Sequence, residues 1–184
     1  MRHRPRSRSL AALPAAALLV TLAGCGGQGR DYAVPDAACG VGVGSAVLAP
    51  LLPPGKALRA EPVDLGQGSA HCTLSVDAKP ALSLKTDVTT EVTDLPKVIQ
   101  EKVNRAGHPA KITAGPAGEA WVADSLALAT AKCTYQGAPH VFIAEASTPA
   151  KTDDVKKRRE ALTAFMKAYL PAAQKAVGCT PGPS

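Results

Sequence analysis

The sequence predicts a small single α+β domain in which an antiparallel sheet is covered by helices, and three observations carry that prediction. Two stretches alternate apolar and polar residues with the period of strands, and a five-residue echo relates them. Ala70-His71-Cys72-Thr73-Leu74 returns 61 residues later as Ala131-Lys132-Cys133-Thr134-Tyr135. Two other stretches space their apolar residues at three and four, as amphipathic helices do. An even set of cysteines, Cys39, Cys72, Cys133 and Cys179, is spread among these segments. About 160 residues remain once the first 24 are set aside, enough for one modest core and one domain, expected at 39–180 with a short tail at 181–184.

Taken in order, residues 26–38 are rich in Gly and Ala, contain Pro35 and show no apolar pattern. They read as a flexible tether with a random-coil reach on the order of 20 Å. Val47, Leu48, Leu51 and Leu52 mark a short apolar helical segment that stops at Pro53-Pro54-Gly55. The stretch from Lys56 to Gln67 reads as an irregular strand and loop. Each copy of the echo is then followed by a turn containing Pro80 or Pro139 and by a second strand, with Leu82, Leu84 and Val88 on one face in the first copy and Val141 and Ile143 in the second. Since each hairpin leads into a helix, the order suggests two ββα units.

The first helix is expected from Leu95 to Ala106, with Asp94 before it, Pro96 in its first turn and Gly107 past its end. Its stripe is Leu95, Val98, Ile99, Val103 and Ala106. The second follows Thr152, with Asp153 and Asp154 at its positive end. Its stripe is Val155, Leu162, Phe165, Met166, Tyr169, Leu170, Ala173 and Val177. Pro171 should kink or break this helix, and Gly178 should end it. Aromatic residues are 3% of the chain, so the core must be built from Ala, Val and Leu, and Trp121 reads as a packing centre.

The N-terminus has a different character. Arg2, Arg4, Arg6 and Arg8 precede an apolar run from Leu10 to Ala23, the charged and apolar regions of a secretory signal. The run is about 14 residues, short of the roughly 20 that span a bilayer, and Pro14 interrupts it. It closes in Leu22-Ala23-Gly24-Cys25, which resembles the lipobox of bacterial lipoproteins. That resemblance implies cleavage between Gly24 and Cys25, so that 1–24 is a removed signal peptide. It also implies a diacylglyceryl group on the Cys25 sulfur, hence a chain held at the outer face of the cell membrane. Two acyl chains anchor stably where one would not. Of the +6 formal charge, +2 remains after the four arginines leave with the signal, so the basic pI of 9.2 gives no support to nucleic-acid binding.

For an exported chain the four remaining cysteines are best used in two disulfides. Three connectivities are open. Local stapling of each unit favours Cys39 with Cys72 and Cys133 with Cys179, each worth roughly 2–4 kcal/mol. No paired C-x-x-C spacing supports zinc. His71, His108 and His140 stand at no metal-ligand spacing, and Gly40, Gly42 and Gly44 alternate without the strand context of a nucleotide site. No hydrolase elbow or phosphate loop is present. No catalytic residue, metal or cofactor is assigned. Lys156, Lys157, Arg158 and Arg159 form the strongest charge run, expected to wrap the exposed side of the last helix. It is the candidate interaction surface for anionic headgroups or wall polymers.

With the lipobox, the Cys39 to Cys72 spacing across an apolar helix and the cysteine strand followed by a late helix, the chain resembles the Ala-rich, two-disulfide secreted lipoproteins of actinobacteria. That resemblance implies a small α+β domain and brings no catalytic residues. The expected role is a non-enzymatic envelope module that binds a small molecule, a wall component or a protein partner. An envelope enzyme with a dispersed site and an accessory subunit of a membrane complex are the alternatives.

Overall fold

A computed structural model describes residues 29–90, 94–114, 118–149 and 154–181. Two short strands, β1 (Ala37–Ala38) and β2 (Val41–Gly42), form a hairpin that leads into α1 (Ser45–Leu48) and a 3-10 turn at Ala49–Leu51. The main sheet follows: β3 (Leu58–Gly66), β4 (Ser69–Val76) and β5 (Lys79–Thr89), then α2 (Leu95–Arg105), then β6 (Ala110–Ile112), β7 (Gly118–Val122), β8 (Leu126–Tyr135) and β9 (Ala138–Ser147), then α3 (Val155–Val177) and β10 (Thr180–Pro181). Its order is β3-β4-β5-β9-β8-β7-β6, antiparallel throughout, with β10 also paired to β8. This is the predicted α+β class, but each unit is larger than ββα. Three strands precede α2 and four precede α3, and β5 meets β9 where the halves join.

Three hairpins turn on two residues that both have positive φ, the geometry that matches sheet twist: Gln67–Gly68, Asp77–Ala78 and Gln136–Gly137. Pro80 and Pro139 are therefore not in the turns but one residue inside the following strands. The echo is also offset, since Cys72 lies four residues before the end of β4 and Cys133 two before the end of β8. A shift of two preserves the face, and both cysteines point to the same side of the sheet.

That side is covered by α3 over the second half and by α1 and the 3-10 turn over the first. From the sheet come small residues, Ala127, Ala129 and Ala131 of β8 and Ala144 and Ala146 of β9. From α3 come large ones, Leu162, Phe165, Met166, Tyr169 and Leu170, all buried. A sheet floor of methyl groups lets the helix axis approach closely, so few aromatic residues still fill the core. Asp154 caps α3 by accepting the Lys157 N–H at 3.0 Å, and Pro171 does not end the helix. The helix ends at Gly178, φ 76°, with Gly178 N–H on Lys175 and Cys179 N–H on Gln174, the Schellman closure. That closure delivers Cys179 to Cys133.

The opposite side is covered by α2 over the second half alone. Ile99 and Val103 sit on Trp121, Leu126 and Leu128, while Val98, expected in the stripe, is 55% exposed. Over β3, β4 and β5 this side has no helix. The stretch expected as an irregular strand and loop is the nine-residue edge strand β3, with a register shift between Asp64 and Gly66. Nearly all its residues are exposed, and Pro62 is tolerated because the strand is at the edge.

The expected flexible tether is corrected in its described part, because the chain is pinned from Arg30 onward. Arg30 bridges to Gly55, and its guanidinium donates to the Ala49 and Leu52 carbonyls at 2.8 and 2.5 Å, satisfying the end of the 3-10 turn. The Tyr32 hydroxyl donates to Pro53, Asp36 accepts the Ser45 N–H at 2.9 Å, and Ala38 is fully buried.

Candidate functional site

Register places one row of side chains across the uncovered side: Val63, His71, Lys85, Glu145, Leu128, Trp121 and Lys111. The row passes from an exposed edge to the apolar layer beneath α2. Its open part, with Thr73 and Ser83 one step along, is polar and ordered. His71 Nε2 lies 3.0 Å from Ser83 Oγ, and Ser69 donates to the Asp87 carboxylate. At the border Glu145, 8% exposed, forms an ion pair with Lys102 of α2. Beside these groups Val63 and Leu65 are 50% and 64% exposed. A pit of about 710 Å³ opens along β3 and β4, lined in part by Arg59, Glu61, Thr73, Ser75 and Asp77.

The His71–Ser83 pair has the separation of a base and a nucleophile, but a working pair also needs a group that orients the base. Among the described residues no carboxylate bonds the other ring nitrogen of His71. The surface offers donors and acceptors of both signs beside exposed aliphatic groups, which suits recognition. His140 is on the opposite side from His71, edge-on to Tyr135 at 5.7 Å.

A second cluster joins three elements at a corner. The Asp124 carboxylate, in the β7–β8 turn, lies 3.0 Å from His108 Nδ1 and takes Arg159 of α3 at 3.0 Å. Arg159 also donates to the His108 carbonyl, and Arg158 Nε to that of Asp124. The His108 hydrogen bond leads the interactions that hold the Asp124 carboxyl below its ordinary pKa. Gly107 is required here, since at φ 111° any Cβ would meet the Asp124 side chain within 2.6 Å. Beside the corner lies an open groove of about 820 Å³, floored by Val122, Val155 and Ala164 and rimmed by Lys156, Glu160 and Lys167.

This geometry corrects the reading of the charge run. Lys156 and Lys157 are exposed, but Arg158 is 7% exposed and Arg159 is part-buried, so two of the four clamp α3 to the sheet. Val155, expected in the buried stripe, is 42% exposed and faces the groove instead. The spacing carried the signal, because 158 falls between 155 and 162 on the helix stripe, where an arginine must reach a partner. Glu145 had a similar one, following Val141 and Ile143 at the strand period. Asp124, Lys102 and Asp87 had none.

The cysteines are joined as Cys39–Cys72 and Cys133–Cys179, with Cα separations of 6.3 and 5.5 Å. Trp121 packs under α2 with the Lys111 ammonium 5.8 Å from its ring centre. Burial pushes the Tyr169 hydroxyl up to about 12. Gly24 and Cys25 lie outside the described residues. Among the described residues no cluster of three or more His, Cys, Asp or Glu is placed to hold a metal, and no helix is long and apolar enough to cross a membrane. No protein-family model, curated protein or solved structure matches this chain.

Proposed function

We propose that this chain is an extracytoplasmic lipoprotein, anchored by a diacylglyceryl group on Cys25, that works as a non-enzymatic binding module for a protein partner in the cell envelope. Two disulfides suit an oxidising compartment, and Leu22-Ala23-Gly24-Cys25 supplies the anchoring motif. The observation that carries the binding role is the uncovered half-face of the sheet. It sets exposed Val63 and Leu65 beside a polar row of His71, hydrogen-bonded to Ser83, and Lys85, on the side of β3, β4 and β5 that no helix covers among the described residues. Apolar area rimmed by ordered polar groups is the composition of an interaction patch.

Two measurements test this reading. In the producing bacterium Cys25→Ala should release the protein to the medium or leave it unprocessed, and unchanged membrane retention refutes the anchor. A photo-crosslinking residue at Leu65 should give a discrete adduct in native membranes that Val63→Arg abolishes and that the same residue at Gln136 does not give. Identical adducts at both positions, or none at Leu65, refute the binding face.

A further inference from the structure

The strand directions bring distant parts of the chain to one end of the sheet. At the end where β4 turns into β5 through Asp77–Ala78 lie the Arg30–Gly55 bridge, Lys56, the β7–β8 turn at Asp124, His108 and, after β9, the start of α3 with Lys156 and Lys157. We propose that this end is a membrane-apposed surface that meets anionic phospholipid headgroups through Lys56, Lys79 and Lys156.

Chain length is the first support, and it rests on the proposed anchor at Cys25. The polypeptide is fixed to the domain at Arg30, so from Cys25 to Arg30 it reaches at most about 18 Å even fully extended. A domain on so short a leash must present to the bilayer the end from which the leash leaves. Charge is the second. The carboxylates at this end are engaged: Asp77 accepts the Lys56 and Ala57 amides, Asp124 holds His108 and Arg159, and Asp154 caps α3 and pairs with Lys157. Asp31 is exposed, and Glu160 is in the adjoining groove. Among the described residues Lys56, Lys79 and Lys156 are exposed and in no salt bridge. Lysines are attracted to an anionic surface within a Debye length of about 8–10 Å, and a leash this short lets the end that carries them approach to that distance. Pro53, Pro54 and Val155, all exposed at this end, add apolar contact at the headgroup level.

The strands then stand on the membrane, and the uncovered half-face looks sideways, toward other proteins held at the same height. The experiment uses the lipidated full-length mature protein on vesicles of phosphatidylcholine with and without phosphatidylglycerol, neither of which carries a primary amine. Flotation reads anchoring, and mass-spectrometric mapping of amine acylation reads orientation. Acylation of Lys56, Lys79 and Lys156 should slow relative to Lys97, Lys132 and Lys175, and more so with phosphatidylglycerol. Replacing Lys79 with Glu should weaken the phosphatidylglycerol effect at Lys56 by at least about fivefold, the equilibrium weight of one lysine at an anionic surface. Flotation with equal protection of both sets, or with protection of Lys97, Lys132 and Lys175 instead, overturns the orientation and leaves the anchor standing. Failure to float overturns the anchor, and the orientation falls with it.

Discussion

The two halves of the sheet share an order of elements and differ in what covers them. In the second half β8 and β9 are buried on both sides, under α3 and under α2, and their sequences accordingly run almost continuously apolar, as in Leu126-Ala127-Leu128-Ala129. In the first half β4 alternates, with Cys72, Leu74 and Val76 inward and His71 and Thr73 outward, because only one side is covered. Both long helices serve the second half, although one of them follows the first. A half that receives no helix on one side keeps that surface for another use, whereas its twin carries most of the core.

A set of substitutions and a pH series sharpen this contrast. The largest effect is expected at the shared α3 core. Phe165→Ala should cost about 3–5 kcal/mol in denaturant unfolding, while Val63→Ala in the open half should stay within about 0.5 kcal/mol. Equal losses would mean the halves contribute alike. Replacing Cys133 and Cys179 together by Ala should cost roughly 2–4 kcal/mol, measured as a lower thermal midpoint that reductant no longer shifts as far. At the border between covered and open surface, Lys102→Met leaves Glu145 buried without its cation. Since Lys102 is itself 38% exposed, the loss should be only about 1 kcal/mol, recovered in the double variant with Glu145→Gln. In the open half Ala78 holds φ 62° in its turn, so Ala78→Gly should stabilise by roughly 0.5–1 kcal/mol, and a loss would argue against the turn geometry.

The pH series addresses the corner that joins α3 to the second half. The His108 hydrogen bond, with Arg159, lowers the folded-state pKa of Asp124 below its unfolded value near 3.8. Its stabilisation is therefore complete above that value and is lost as pH falls through the lowered one. Asp124→Asn should flatten the acid limb of the stability profile in that window and leave neutral pH less affected by further titration. An unchanged acid limb would detach Asp124 from acid unfolding.

The parts legible in the sequence are those where burial imposes a period. Helix α2 ends within a residue of its predicted bound, α3 was bracketed by Asp154 and Gly178, and the two cysteine strands announced themselves by alternation. What was not legible depends on contacts without a period. Strand β3 is held by backbone pairing to β4 alone, so Arg59, Glu61, Pro62 and Asp64 show no apolar face to read. The segment before Cys39 is fixed by a long-range arginine cap and by small residues such as Ala38, which bury without looking hydrophobic. The polar sites follow the same rule. Arg158 and Glu145 betray themselves by falling on apolar faces, whereas Asp124 acquires its partners from three elements that only the tertiary fold assembles.

The alanine floor beneath α3 also sets how this domain can drift through evolution. Sheet positions such as Ala129 and Ala144 have no space for a larger side chain, and helix positions such as Phe165 and Met166 have no neighbour able to fill the void if they shrink. Neutral change across this layer must be reciprocal: a valine gained on β8 or β9 has to be matched by volume given up on α3. Distant descendants of this chain should thus conserve the summed volume of the layer more faithfully than any residue in it.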